Sequence, residues 1–104
     1  MLLQKSKFDS GDIVSLKLTS GEEIVGKFVS EDMMEFVLTK VVMLAMTQKG
    51  VGMAPYMVTV DPDKEYAINK QAIIMKAPTD KEIADQYIYQ TTGIQPVSAG
   101  SIIK

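Results

Sequence analysis

At 104 residues, 46% of them apolar and 23% charged, the chain is sized for one small globular domain. With no cysteine and no histidine it has no thiol or imidazole for catalysis, no disulfide and no ordinary zinc site. Its net charge of −2 sets 13 acids against 11 bases, all of them lysine, so the bidentate guanidinium reader of phosphate and guanine is missing.

Residues 1–10 form a polar lead whose apolar start, Met1 to Leu3, is too short for the core of a signal peptide. No apolar run approaches the roughly 20 residues that span a bilayer. The expectation is a soluble, cytoplasmic protein with no membrane partner. Ser10-Gly11-Asp12 signals a turn. IVSLKL then alternates, with Val14, Leu16 and Leu18 on one face. After a second turn at Thr19 to Glu22, EIVGKFVS puts Ile24, Gly26 and Phe28 on one face and Val25, Lys27 and Val29 on the other. Glycine inside a strand leaves a packing gap, so Gly26 marks a bend or a close backbone approach, while Gly21 serves the turn. Glu31-Asp32 makes the next break, and MEFVLTKVVMLAM, about Met34 to Met46, reads as a long strand.

Gln48 to Gly52 reads as a loop, and MAPYMVTV as a strand with Pro55 at an edge or bulge. Asp61-Pro62-Asp63-Lys64 is a turn. EYAI and AIIMK are two short strands around Asn69-Lys70-Gln71. Beyond Pro78, Thr79-Asp80-Lys81-Glu82 fits a capping box, with Thr79 as the N-cap and Glu82 reaching back. Ile83, Ala84, Tyr87, Ile88 and Thr91 form a helical stripe that Gly93 ends. The tail, 93–104, is expected to be mobile unless Ile102 and Ile103 dock. The pattern predicts an all-β fold in one domain over 1–104: a small, strongly bent, five-stranded open barrel (about 12–77) followed by a C-terminal α-helix (about 80–92). Removing the chain beyond Pro78 is expected to leave the barrel and weaken any assembly.

The stretch from Gly21 to Leu38 has a further pattern. Val14, Leu16 and Leu18 precede Gly21, Gly26 follows five residues later, Asp32 six after that, and then FVLTKVVML. This resembles the first motif of the Sm and LSm family, which includes bacterial Hfq. YAINKQAIIMKAP, Tyr66 to Pro78, resembles the second motif, with Asn69-Lys70 at the tip where Sm proteins often carry Arg-Gly and Hfq carries Lys-His. The layout, with MAPYM in the middle and a helix at the end, looks most like the small Sm-like proteins of marine cyanophages. A phage-encoded chain would work in the host cytoplasm. The resemblance implies an Sm-like barrel whose open strand edges pair head to tail in a homo-oligomeric ring of about five to seven subunits. It implies single-stranded RNA as partner, an RNA-binding or RNA-chaperone role, no covalent catalysis and no cofactor. Carried over position by position, the RNA-binding residues are Asp32, Met34, Glu35, Phe36, Asn69 and Lys70.

Two departures bear on that reading. Glu35 stands where the family carries its base-reading asparagine, and ionised glutamate accepts hydrogen bonds but donates none. The helix follows the barrel instead of preceding it. Glu35, the acidic charge balance and the missing arginine support an alternative, a ring-shaped protein-interaction scaffold with no RNA activity. Taken singly, the same residues have plainer readings. Phe36 could stack a base, yet in a strand it reads first as core. Lys70 alone is a solvated hairpin tip, and Lys5 and Lys7 are a surface pair. Asp61, Asp63 and Glu65 lack the glycine and distant bidentate glutamate of a calcium loop. GVGMAP lacks the Lys-Ser/Thr of a phosphate loop. Methionines 33, 34, 43, 46, 53 and 57 suit an adaptable core or a subunit interface.

Overall fold

The computed structural model describes residues 7–93. Six strands and one helix follow in order: β1 (Ile13–Leu18), β2 (Glu23–Glu31), β3 (Glu35–Thr47), β4 (Gly50–Pro55), β5 (Glu65–Asn69), β6 (Ile73–Pro78) and α1 (Lys81–Thr92). A single 3-10 turn, Lys70–Ala72, joins β5 to β6. Every strand pair is antiparallel, in the order β4-β3-β2-β1-β6, with β5 also on β3. β3 is the spine. Its first half pairs with β5 from Glu35 to Thr39, and its second half pairs with β4 from Val42 to Thr47. The 3-10 turn therefore links one edge of the sheet, β5, to the other, β6. Three residues suffice only because the sheet curls almost onto itself; among the described residues β5 and β6 do not pair, and the barrel stays open. The architecture is all-β, unclosed and strongly bent, with one C-terminal helix.

Two local features produce the bend. β2 shifts register against β3 twice, once between Val25 and Lys27, around Gly26. A Cβ on Gly26 would sit 2.9 Å from Leu38 Cδ1 and 3.2 Å from Leu38 Cβ, so the two strands approach as closely as they do only across a glycine. Gly21, at φ 108°, makes the β1–β2 turn. The second feature is Lys40, a non-glycine residue at φ 54° between the two halves of β3. A left-handed conformation costs an L-residue about 1–2 kcal/mol, and three contacts hold it. Lys40 N donates to Pro62 O at 2.9 Å, the Tyr87 hydroxyl donates to Lys40 O at 2.6 Å, and the ammonium pairs with Asp63.

The curl makes two cores. Inside the barrel lie Val14, Leu16, Leu18, Ile24, Phe28, Phe36, Leu38 and Val41, closed by Phe8 from the lead. The three phenylalanine rings meet at centroid distances of 5.1, 5.6 and 6.0 Å. On the outer face, α1 lays Tyr87 and Ile88 against Val25, Val42, Ile13, Leu44 and Met53. Gln86 Nε2 donates to Val51 O at 2.9 Å, which ties the helix to β4. This double use explains why Val25 is buried although it alternates away from Ile24: its side of β2 is covered by the helix.

Several expectations need correction. The strand count itself agrees with the expected bent, open barrel: among the described residues there are six strands, because β3 continues past Lys40 into a ribbon with β4, and the corrections concern finer points. β4 begins at Gly50 and ends at Pro55, so Gly50 to Gly52 is strand and Tyr56 to Val60 is not. The helix N-cap is Asp80, whose carboxylate accepts from Glu82 N at 3.2 Å. Thr79, just past β6, is instead tied to β1: its N–H donates to Ile13 O at 3.1 Å and its hydroxyl bonds Ser15 Oγ at 2.7 Å. Gly93 is the left-handed cap, φ 77°. Lys5, and Ile102 and Ile103 in the tail, lie outside the described residues.

Candidate nucleic-acid interface

Asp32 and Lys70 are 38 positions apart in the sequence, yet the fold joins their turns. The β2–β3 turn is built by Asp32. Its Oδ1 accepts from Met34 N and Glu35 N, both at 2.8 Å, while its own N–H donates to Glu35 O at 3.0 Å. Those two N–H groups hold its carboxyl below the ordinary 3.8. The β5–β6 turn is capped the same way: Asn69 Oδ1 accepts from Gln71 N at 2.8 Å. The turns then meet. Glu35 lies opposite Asn69 in the β3–β5 register, and Lys70 N donates to Met34 O at 2.9 Å. Asp32, Met34, Glu35, Asn69 and Lys70 thus form one continuous surface.

Phe36 does not share it. The next residue along an extended strand points to the other face, and Phe36 is fully buried in the phenylalanine cluster. No ring face is left for a base to stack on, so its role is packing, and the stacking reading is corrected.

Lys70 is not a solvated tip. Its ammonium lies 2.7 Å from Glu31 Oε1, and Lys76 Nζ lies 3.7 Å from the same oxygen. Lys76 also sits 5.4 Å from the centroid of the Phe36 ring, within cation–π range. Glu31, with its side chain 12% exposed, is the hub that sequence reasoning missed. Alternation could not place it, because β2 shifts register again between Phe28 and Ser30, and that shift breaks the simple in–out count before Glu31 is reached. Lys76 was hidden in the same way by the shift in β6 opposite Lys17 and Leu18.

The surface combines two outward acids, Asp32 and Glu35, a lysine neutralised by Glu31, and two exposed methionines. Met33 is 91% exposed at the crest of the turn, and Met34 beside it is also exposed. Such a surface can present hydrogen-bond acceptors and flexible apolar contact. Nothing in it is arranged as a nucleophile with a base. Among the described residues no group of three or more Asp or Glu side chains is placed to hold a metal. Nor, among the described residues, is any helix long and apolar enough to cross a membrane.

No family model and no curated protein matches the sequence. Among solved structures, the chain is similar to a heptameric archaeal Sm protein, at 17% identity and a TM-score of 0.47, over 68% of this chain and 90% of that one.

Proposed function

We propose that this chain is a ring-forming Sm-type protein that binds single-stranded RNA through the joined turns at Asp32 to Glu35 and Asn69-Lys70, with no covalent chemistry. One observation carries the reading: the two segments that resemble the Sm motifs, remote in sequence, meet in a single surface through Lys70 N→Met34 O and the Glu35–Asn69 pairing. The ring rests on the strand edges. β5 is paired only to β3 and β6 only to β1 among the described residues, and β6 carries Ile74 and Met75, 59% and 68% exposed. An open edge with apolar side chains is a template for another strand, and head-to-tail pairing of β6 with a neighbour's β5 closes into a ring when the rotation per subunit permits. Repetition around the ring multiplies weak contacts at each turn pair.

The Glu31–Lys70 pair favours a second reading, a ring-shaped scaffold for protein partners. It cancels a cation that RNA would need, while Met33 and Met34 offer the adaptable apolar contact that protein surfaces use.

Fluorescence-anisotropy titration of labelled oligo-U and oligo-A, at low and near-physiological salt, separates the two. The RNA reading expects binding that persists at the higher salt, weakens in Lys70→Ala and tightens in Glu31→Gln, which releases the lysine. Absence of binding at both salts, in wild type and in Glu31→Gln alike, would overturn it in favour of the scaffold.

A further inference from the structure

Of Glu31, Asp32 and Glu35, the acids at the joined turns, two are already engaged. Glu31 holds Lys70 and Lys76, and Asp32 accepts from the N–H groups of Met34 and Glu35. Glu35 is different. Its backbone is fixed on both sides, because its N–H donates to Asp32 Oδ1 and its carbonyl accepts from Asp32 N. Its side chain is exposed, on the face of β3 away from the buried Phe36. Among the described residues no hydrogen bond or ion pair takes up its carboxylate, so both oxygens are open to a ligand.

A donor stands across from it. Glu35 and Asn69 are directly opposed in the β3–β5 register, so their side chains share one face with Cβ atoms about 5 Å apart. Asn69 Oδ1 accepts from Gln71 N at 2.8 Å. That bond fixes the amide, since a backbone N–H can meet only its oxygen, and it leaves the exposed NH2 group and its two donors without a partner among the described residues. The pair therefore offers two acceptors beside a donor. Single-stranded RNA presents its bases by their Watson–Crick edges. Guanine alone of the four bases has two adjacent donors there, N1–H and N2–H, beside an acceptor, O6. Uracil sets one donor between two acceptors, and adenine and cytosine set one amino group beside acceptors. Each of these would bring an acceptor against a carboxylate oxygen, an unpaired and repulsive contact.

We infer that Glu35 and Asn69 select guanine in a single strand: the Glu35 carboxylate accepts from N1–H and N2–H, and Asn69 Nδ2 donates to O6. The inference rests on the RNA reading above and names the base that the surface takes. Bidentate hydrogen bonds to an ionised group are the strong kind. They also need no cation at the base, which suits a surface whose Lys70 is drawn to Glu31. Met33 and Met34, exposed at the same turn, supply apolar thioether contact for the base ring, which the buried Phe36 cannot give.

The test is an anisotropy titration of the full chain with labelled single strands of equal length that alternate uridine with guanosine, adenosine, cytidine or inosine. The guanosine strand should bind about tenfold or more tightly than the adenosine and cytidine strands. Inosine, which keeps N1–H and O6 but lacks the N2 amino group, should lose most of that margin. Glu35→Gln keeps the side-chain length and turns one acceptor into a donor; Asn69→Asp keeps the acceptor for Gln71 N and removes the donor to O6. Both should bring the ratio of guanosine to adenosine affinity toward one. Free guanosine monophosphate, a single base without the repetition of a strand, should compete only far above the guanine concentration of the strand; competition at equal guanine concentration would overturn the strand as the source of the base. Equal affinity for all strands, or a preference that survives Glu35→Gln, would overturn the guanine inference and leave the RNA reading standing. No binding of any strand would remove both.

Discussion

At the scale of single residues, Asp32 and Lys40 show how a turn and a bend are held. Asp32 spends its carboxylate on two backbone N–H groups, and its proton affinity is lowered by them. A folded-state pKa below the unfolded one contributes stability that is complete above the unfolded value and is lost as pH falls through the folded one. Asparagine at this position keeps an acceptor oxygen but removes the titration. The urea midpoint of the wild type should therefore fall more steeply than that of Asp32→Asn as the pH drops through and below the ordinary aspartate range. Parallel curves would place the acid sensitivity elsewhere. Lys40 is a different case, because its backbone is in a region that favours glycine. Lys40→Gly loses the Asp63 pair, worth up to about 1 kcal/mol at a surface, but removes strain of similar size, so its unfolding free energy should stay near that of the wild type. Lys40→Val keeps the strain, adds a branched Cβ and loses the pair. It should be less stable than Lys40→Gly by about 1–2 kcal/mol in denaturant titration. Equal stabilities would mean that the kink relaxes.

At the scale of elements, α1 is a structural part of the barrel and not an appendage. Tyr87 is 1% exposed, and its hydroxyl, whose pKa is pushed up by burial, donates to the carbonyl of the strained Lys40. Tyr87→Phe leaves that carbonyl without its donor and should cost about 1–3 kcal/mol; Tyr87→Ala also empties the outer core and should cost about 3–5 kcal/mol. Thermal melts of the two variants check the order. Truncation after Pro78 uncovers Val25 and Val42, so besides weakening any assembly it should lower the melting temperature of the barrel itself, a cost that the sequence pattern alone does not show. The reason lies in what alternation can express. Val14, Leu16 and Leu18, or Ile24 and Phe28, face one core and are legible at period two. Val25 faces a second core made by a helix 60 residues away, and no local pattern announces that. Phe8 is similar: it sits in a polar lead with no period around it, yet it closes the barrel. The glycines were legible because their roles are local, a turn at Gly21 and a close contact with Leu38 at Gly26. Of the candidate surface, the turn residues followed from the resemblance to the Sm motifs, whereas the Glu31 hub could not be found that way, since two register shifts precede it.

For the whole molecule the question is what covers the strand edges. A 104-residue chain with a split core has little surplus stability, and among the described residues its two barrel edges have no further strand partner, one of them bearing Ile74 and Met75. Natural proteins blunt such edges with charge, proline or bulges. β6 has Lys76 and ends at Pro78, but Lys76 is drawn toward Glu31 and the Phe36 ring, which leaves the stretch at Ile74 and Met75 without a protecting charge. The edge-to-edge assembly proposed above would answer both needs, burying the apolar side chains and pairing the backbone. Sedimentation equilibrium should then give a mass several times the 11.4 kDa of one chain. In the double variant Ile74→Lys, Met75→Lys, like charges would be brought to the junction of each β6 with its neighbour, and the mass should fall toward that of the monomer. Circular dichroism should keep its strand signal, since both residues are exposed within the single chain and their replacement leaves the two cores untouched. Monomeric wild-type protein would remove the ring, and with it the repetition on which weak binding at each turn pair depends. An assembly that survives the double substitution would mean that copies meet elsewhere, with the β3–β4 ribbon and its exposed Met46 the next surface to vary.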